Sequence, residues 1–353
     1  MDIMKVLKDM SPEIDRAIEK YIPRKYDKKR LEFALGKPSY KYNMDAPNKA
    51  VAKPIWNLLD RGGKRWRPCL MMFVCEAFSG EWKRFVDFAV IPEVIHNGTL
   101  LVDDIEDGSE LRRGKPCVHK IFGEDVAINA GNAMYFLPLL VLMKNRSRLD
   151  KDRIIRAYEI YTQEMINISF GQAMDIAWHK GIANADSITE EEYLQMCAYK
   201  TGTLARMAAK LGALISGADE DAMEKIGRLA ESIGVAFQIQ DDILNIAPSE
   251  GWGKETGEDI TEGKRTLLVI HTLKKAGKDK KRLLKILTMH TKDKKTIEEA
   301  ISLIKKHGSI DYATVAAKKI VTEAWKDANA VLPEGRAKDK IKALADFSIE
   351  REV

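Results

Sequence analysis

The sequence predicts an all-α fold, one large helical bundle, on three observations. Its 353 residues are 45% hydrophobic, 31% charged and 7% aromatic, a globular composition that excludes disorder and collagen-like structure. Twenty-three Gly and 11 Pro are too few for a strand-and-turn architecture of this length, and no stretch alternates with period two for long. Leu, Ala, Lys, Glu, Ile and Met dominate the intervals between turns, as helices favour.

Taken in order, Ser11-Pro12 reads as an N-cap followed by a first-turn proline, so the opening helical region is expected to restart there. Residues 24–54 hold Pro38, Pro47 and Pro54 with little apolar periodicity and read as an irregular connection. From about residue 64, helix follows helix. Thr189-Glu190-Glu191-Glu192 is a capping box opening a segment to about Ser216, and Asp219 caps the next, through Asn245. No internal repeat of domain size occurs. A single domain over 1–353 is expected: an N-terminal helix and irregular extension (1–55), a motif-bearing core (62–264) and C-terminal helices (265–353).

No apolar run reaches the roughly 18 to 20 residues that span a bilayer; the longest, Ala133 to Met143, contains Pro138. Asp2, Lys5, Lys8 and Asp9 interrupt any signal-peptide core. A cytoplasmic protein without integral membrane association is therefore expected. Cys69, Cys75, Cys117 and Cys197 stand too far apart for a C-x-x-C site and read as buried, reduced thiols. The formal charge is +5, and residues 274–295 place ten Lys and Arg against Asp279 and Asp293. That segment lacks aromatic residues to stack on bases, and Leu283, Leu284, Ile286 and Leu287 give it an apolar face. It reads as a solvated helix surface, with attraction to an anionic membrane as the second reading and no nucleic-acid partner expected.

Two acidic clusters share one spacing. Asp103-Asp104-Ile105-Glu106-Asp107 and Asp241-Asp242-Ile243-Leu244-Asn245 both read D-D-x-x-(D/N). On a helix, positions i, i+1 and i+4 lie near one face, so each cluster is expected to project two or three oxygen ligands. Such packed carboxylates repel one another unless a cation sits among them. Hard oxygen donors without His or Cys suit Mg²⁺ shared with substrate phosphates. His96 lies two turns before Asp103 and Gln238 three residues before Asp241. Leu111-Arg112-Arg113-Gly114 supplies planar donors. Gly62-Gly63-Lys64-Arg65-Trp66-Arg67-Pro68, Lys200-Thr201-Gly202, Lys254 and Lys264 add further positive charge. The P-loop pattern fails because Arg65 follows Gly63-Lys64, no G-x-G-x-x-G follows a strand, and an EF-hand fails at Ile105 and Gly114. Two phosphorylated ligands remain, one held through Mg²⁺ and one by Lys and Arg alone.

The ordered set GGKRWRP, IHNGTLLVDDIED, LRRG, GQAMD, KTG, FQIQDDILN, GKETGED and EGKRT, from Gly62 to Lys264, resembles the trans-isoprenyl diphosphate synthases. Within that family the stretch from His96 to Gly123, with NAMYF after it, is most similar to geranylgeranyl diphosphate synthases. The resemblance implies an isoprenoid-synthase helical bundle with a central cavity, two to three Mg²⁺ ions, and a homodimer. It implies that Asp103, Asp107 and Asp241 hold Mg²⁺ on the allylic diphosphate, supported by Asp104, Asp242 and Asn245, while Arg112, Lys200 and Lys254 grip it. Lys64, Arg67, His96 and Arg113 would bind isopentenyl diphosphate, Lys264 would close over the site, and Thr201 and Gln238 would flank the reacting carbons. Gln172 and Asp175 would support the metal site.

The chemistry so implied is ionisation of the allylic diphosphate, attack by the double bond of isopentenyl diphosphate, and loss of a proton to the released pyrophosphate. No Ser-His-Asp or Cys-His nucleophile is needed. Gly98 and Thr99 stand where farnesyl synthases place aromatic rings, leaving the tunnel open there. Tyr135 and Phe136 match a lower aromatic floor, and Ser169 replaces a bulky His before the G-Q motif. The expected product is C20; C25 or longer, a farnesyl product, and a regulatory subunit are the alternatives. A class I terpene cyclase is disfavoured, because its second motif, N-D-x-x-S-x-x-x-E, is not the D-D-x-x-N found here.

Overall fold

The structure is a computed structural model that describes residues 1–248 and 256–350. It is 78% helical with almost no strand, an all-α chain as the sequence predicts. The described backbone forms two compact units: one from 1–159, 210–219 and 333–341, the other from 160–209, 220–332 and 342 onward.

In the first unit, helix Ile3–Tyr21 does not restart at Ser11-Pro12. Asp2 caps it, and Pro12 lies inside it. Ile3, Leu7, Met10, Ile14, Ala17, Ile18 and Tyr21 form one buried stripe, and burying it outweighs the lost Pro12 N–H. The Ser11 hydroxyl donates to the Leu7 carbonyl, 2.8 Å away. The interval 24–54, expected to be irregular, holds helix Lys28–Leu35, capped by Asp27, and a wide turn Asn48–Ala52 leading into helix Lys53–Leu59.

Helix Val90–Glu106 packs against Glu124–Phe136, Trp66–Ser79 and Ile3–Tyr21. Glycines allow the first approach: a Cβ on Gly98 would stand 2.8 Å from Met134 Cβ, and one on Gly131 2.9 Å from Val102 Cγ2. Two helical stretches, 83–106 and 124–148, are long and apolar enough by length and composition to cross a bilayer, which corrects the expectation that none is. Their apolar windows are 67% and 44% buried within the protein, as core helices of a globular chain also are.

In the second unit, helix Glu220–Ile246 packs along Ser309–Val331 and against the turn Ala198–Gly202. The capping box forms as expected, with Thr189 and Glu192 exchanging bonds at the start of helix Glu190–Cys197. The segment to Ser216 is interrupted by a wide, π-type turn over Ala198–Gly202, a device often found at functional sites. Helix Lys280–Thr288 buries Leu283, Ile286 and Leu287 and turns Lys280, Lys281 and Lys285 outward. All four cysteines are buried and free.

Candidate active site

The first unit holds Lys64, Arg67, His96, Asp103, Asp104, Asp107, Arg112 and Arg113, and brings Arg67, Arg112 and Arg113 round His96. Asp103 and Asp107 sit one turn apart at the end of helix Val90–Glu106 and are half-buried. Asp104 does not share their face. It is 1% exposed and paired with Arg112 through Nε at 2.7 Å and Nη2 at 2.5 Å. Arg112 Nη2 also lies 3.6 Å from Asp103. Despite burial, Asp104 and Asp103 hold Arg112 more firmly charged than usual. Of the two or three ligands expected on this face, two carboxylates share it, and the third, Asp104, turns inward and aims a guanidinium, since i+1 lies about 100° around the helix.

Leu111–Arg112 pairs with Lys115–Pro116 as a two-stranded hairpin that helical periodicity did not predict. Its turn residues, Arg113 and Gly114, both have positive φ, 52° and 71°, as tight hairpin turns require. Arg61 clamps this hairpin, donating to the Arg112 and Pro116 carbonyls at 2.9 and 2.8 Å, and Arg113 donates to the Gly62 carbonyl. Arg65, left-handed at φ 50°, is buried and bonded to Glu93 at 2.6 Å and Asp15 at 3.1 Å. Neither Arg61 nor the Arg65–Glu93 pair was singled out from sequence. The one available signal was Glu93 itself, a lone charge within the apolar run before His96.

Burial, then Arg67, Arg113, Arg112 and Arg65, push His96 well below the usual imidazole range, so it is neutral. Burial and the neighbouring Arg65, Arg112 and Arg61 bring Arg113 down to about 10 even with Glu93 close by. Cations crowded this way favour an anion, and a neutral imidazole can still donate one hydrogen bond to it.

In the second unit, Asp241 is half-buried, whereas Asp242 and Asn245 are buried. Asp242 accepts from Tyr193 Oη at 2.6 Å and Gln238 Nε2 at 2.9 Å; burial and nearby Asp259 push its carboxyl up to about 7. The Asn245 side-chain oxygen accepts from the Asp259 N–H at 3.2 Å, and its backbone carbonyl accepts from the Gly257 N–H at 2.9 Å. Thr201 donates to Gln238 Oε1 at 2.9 Å. Lys200 pairs with Asp175. Burial would raise the Asp175 carboxyl, but Lys200 and Lys264 hold it below the usual range. Gln172 is half-buried on the same helix as Asp175. Lys264 pairs with Glu262 and lies 3.6 Å from Asp259. Lys254 lies outside the described residues.

Three glycines set the Lys200–Thr201 turn. A Cβ on Gly171 would stand 2.6 Å from the Tyr199 carbonyl carbon and 2.8 Å from Lys200 Cα, and one on Gly234 2.6 Å from Gly202 Cα.

Among the described residues, no three His, Cys, Asp or Glu side chains converge as a self-sufficient metal site. In the first unit the half-buried Asp103 and Asp107, one turn apart, fit Mg²⁺, which commonly takes one or two protein carboxylates and completes its octahedron with water and substrate phosphate, and in the second unit half-buried Asp241 offers a donor of the same kind.

Two of the expected chain-length residues turn outward. Phe136 is 68% exposed. Ser169 is exposed too, its hydroxyl donating to the Met165 carbonyl at 2.9 Å. Both are therefore at the surface of the single chain. Tyr135 differs: its ring lies 3.3 Å from where a Gly98 Cβ would be. Gly98 is buried against the neighbouring helix, and Thr99 is half-buried, bonded to the His96 carbonyl at 2.8 Å.

A family model for polyprenyl synthetase matches residues 48–304. A geranylgeranyl diphosphate synthase of Saccharolobus solfataricus is 36% identical, covering 86% of this chain and 91% of that protein. A geranylfarnesyl diphosphate synthase of Natronomonas pharaonis is 33% identical over 83% of this chain and 88% of its own length. The crystal structure of a geranylgeranyl pyrophosphate synthetase from Pyrococcus horikoshii Ot3 superposes with a TM-score of 0.85, at 34% identity over 99% of both chains. Together with the paired acidic motifs and the cluster of arginines around His96, these matches identify the chain as a member of the polyprenyl synthetase family and a trans-prenyltransferase that makes isoprenoid diphosphates.

Proposed function

We propose that the chain is a Mg²⁺-dependent geranylgeranyl diphosphate synthase, joining isopentenyl diphosphate to an allylic diphosphate until a C20 product is reached. Asp103, Asp107 and Asp241 would hold Mg²⁺, which when bound supplies charge neutralisation for the departing pyrophosphate. Arg112, aimed by Asp104, grips the allylic diphosphate together with Lys200, aimed by Asp175, and Lys254. Lys64, Arg67, Arg113 and neutral His96 bind the diphosphate of isopentenyl diphosphate, and Lys264 closes over the bound substrates. As the allylic C–O bond breaks, Thr201 and Gln238 flank the cation. The homoallylic double bond attacks its C1, and the proton lost from the new chain passes to the released pyrophosphate. The protein's part is position, charge and exclusion of water.

The observation that carries the C20 reading is the similarity over most of the chain to geranylgeranyl diphosphate synthases, with Tyr135, whose ring lies against Gly98 of the neighbouring helix, as the candidate stop for the growing chain. Relatives named for C20 synthesis support it, and the geranylfarnesyl relative keeps C25 as the second reading. The test is mass spectrometry of products formed from isopentenyl diphosphate and C5 to C20 primers. The wild type is expected to stop at C20, Tyr135→Ala to run longer, and Phe136→Ala to leave the length unchanged. A C20 end point from Tyr135→Ala removes Tyr135 as the stop, and no condensation with any primer leaves a regulatory subunit as the better reading.

We also propose a homodimer. Exposed Ile128, Phe136 and Met143, at 43%, 68% and 55%, recur every seven or eight residues along 124–148, an apolar stripe that a second copy would cover. Light scattering is expected to give twice the 39.9 kDa chain mass, and Phe136→Glu to halve it. A wild-type monomer at assay concentration overturns this.

A further inference from the structure

Tyr193 is 1% exposed, on the helix whose first turn the Thr189 capping box holds. It lies 49 residues from Asp242, yet its hydroxyl donates to Asp242 Oδ2 at 2.6 Å. From there the bonds run in one sense. Asp242 Oδ1 accepts from the Gln238 amide nitrogen at 2.9 Å, and Gln238 Oε1 accepts from the Thr201 hydroxyl at 2.9 Å. Asp242 Oδ1 takes the amide N–H of Gln238, which turns the amide oxygen to Thr201. The Thr201 proton is then committed to Gln238, and the oxygen's remaining lone pairs stay free to face a cation.

We propose that Tyr193 is a positioning residue for the condensation: its hydroxyl anchors Asp242, and through it the polarity of Gln238 and Thr201. The inference rests on the proposed placement of Thr201 and Gln238 beside the reacting carbons. Their two oxygens would then lie where positive charge develops as the allylic C–O bond breaks. Without the phenol, Asp242 loses one of two converging donors. The Gln238 amide, on a broad two-fold torsion, is then released to present its N–H groups instead. That change opposes the cation and leaves the diphosphate grips untouched, so it lowers kcat and not substrate binding.

Tyr193→Phe keeps the ring that fills the site and removes only the hydroxyl. In the full-length enzyme with Mg²⁺, kcat is expected to fall about tenfold, with KM for both diphosphates within about twofold of wild type. In a Thr201→Val background, where the relay has lost its last member, Tyr193→Phe is expected to cost nothing further in kcat. Fully additive losses in the double variant overturn the proposal, as does a Tyr193→Phe enzyme that loses thermal stability but keeps wild-type kcat well below its melting temperature. Failure of the underlying reading is a different result, since the wild type itself would then condense no substrate.

Discussion

Asp103→Ala is expected to slow turnover about a thousandfold, the effect of losing about 4 kcal/mol of leaving-group stabilisation. The argument is one of placement. Asp103 and Asp107 are the half-buried members of the first cluster, one turn apart, while Asp104 is turned inward onto Arg112. Removing Asp103 also takes away the second carboxylate near Arg112, at 3.6 Å, but leaves the pair with Asp104 intact. Loss should therefore appear in the chemical step and not in the fold. Single-turnover rates with labelled isopentenyl diphosphate, alongside a melting curve, separate the two. A rate within tenfold of wild type would remove Asp103 from the metal site.

Gly171→Ala is expected to reduce kcat about a hundredfold, because displacement of a catalytic group by about 1 Å costs that much. Intrinsic propensity argues the opposite way. Gly171 lies inside helix Lys151–His179, where Ala is normally better by about 1 kcal/mol. Here the new methyl would meet the backbone of Tyr199 and Lys200, and backbone cannot swing aside as the end of a side chain can. Overpacking of this kind costs about 1–3 kcal/mol. The Lys200–Thr201 turn would then shift away from Asp175 and Gln238. Steady-state kinetics and thermal melting test this together. A raised melting temperature with unchanged kcat would show that the turn yields without consequence.

The sequence by itself determined the helical class, the two acidic motifs, most of the cations and the capped start at Thr189. Each is a local pattern, set by composition, by spacing of three or four residues, or by a cap and its partner three residues on. What it could not settle is which way a residue turns once helices pack. Asp103 and Asp104 are both aspartates at the end of one helix, yet one is half-buried and the other is 1% exposed, because the next residue lies about 100° around the helix and turns into the protein onto Arg112. Tyr135 and Phe136 part in the same way, one ring against Gly98 and the other 68% exposed. Pro12 reads as a helix start, but the buried stripe from Ile3 to Tyr21 carries the helix through it. The Tyr193–Asp242 bond and the contact of Gly171 with Lys200 leave no local mark at all. They join residues 49 and 29 positions apart in sequence, and such partners are chosen by tertiary packing, where burial forces every polar group to find one.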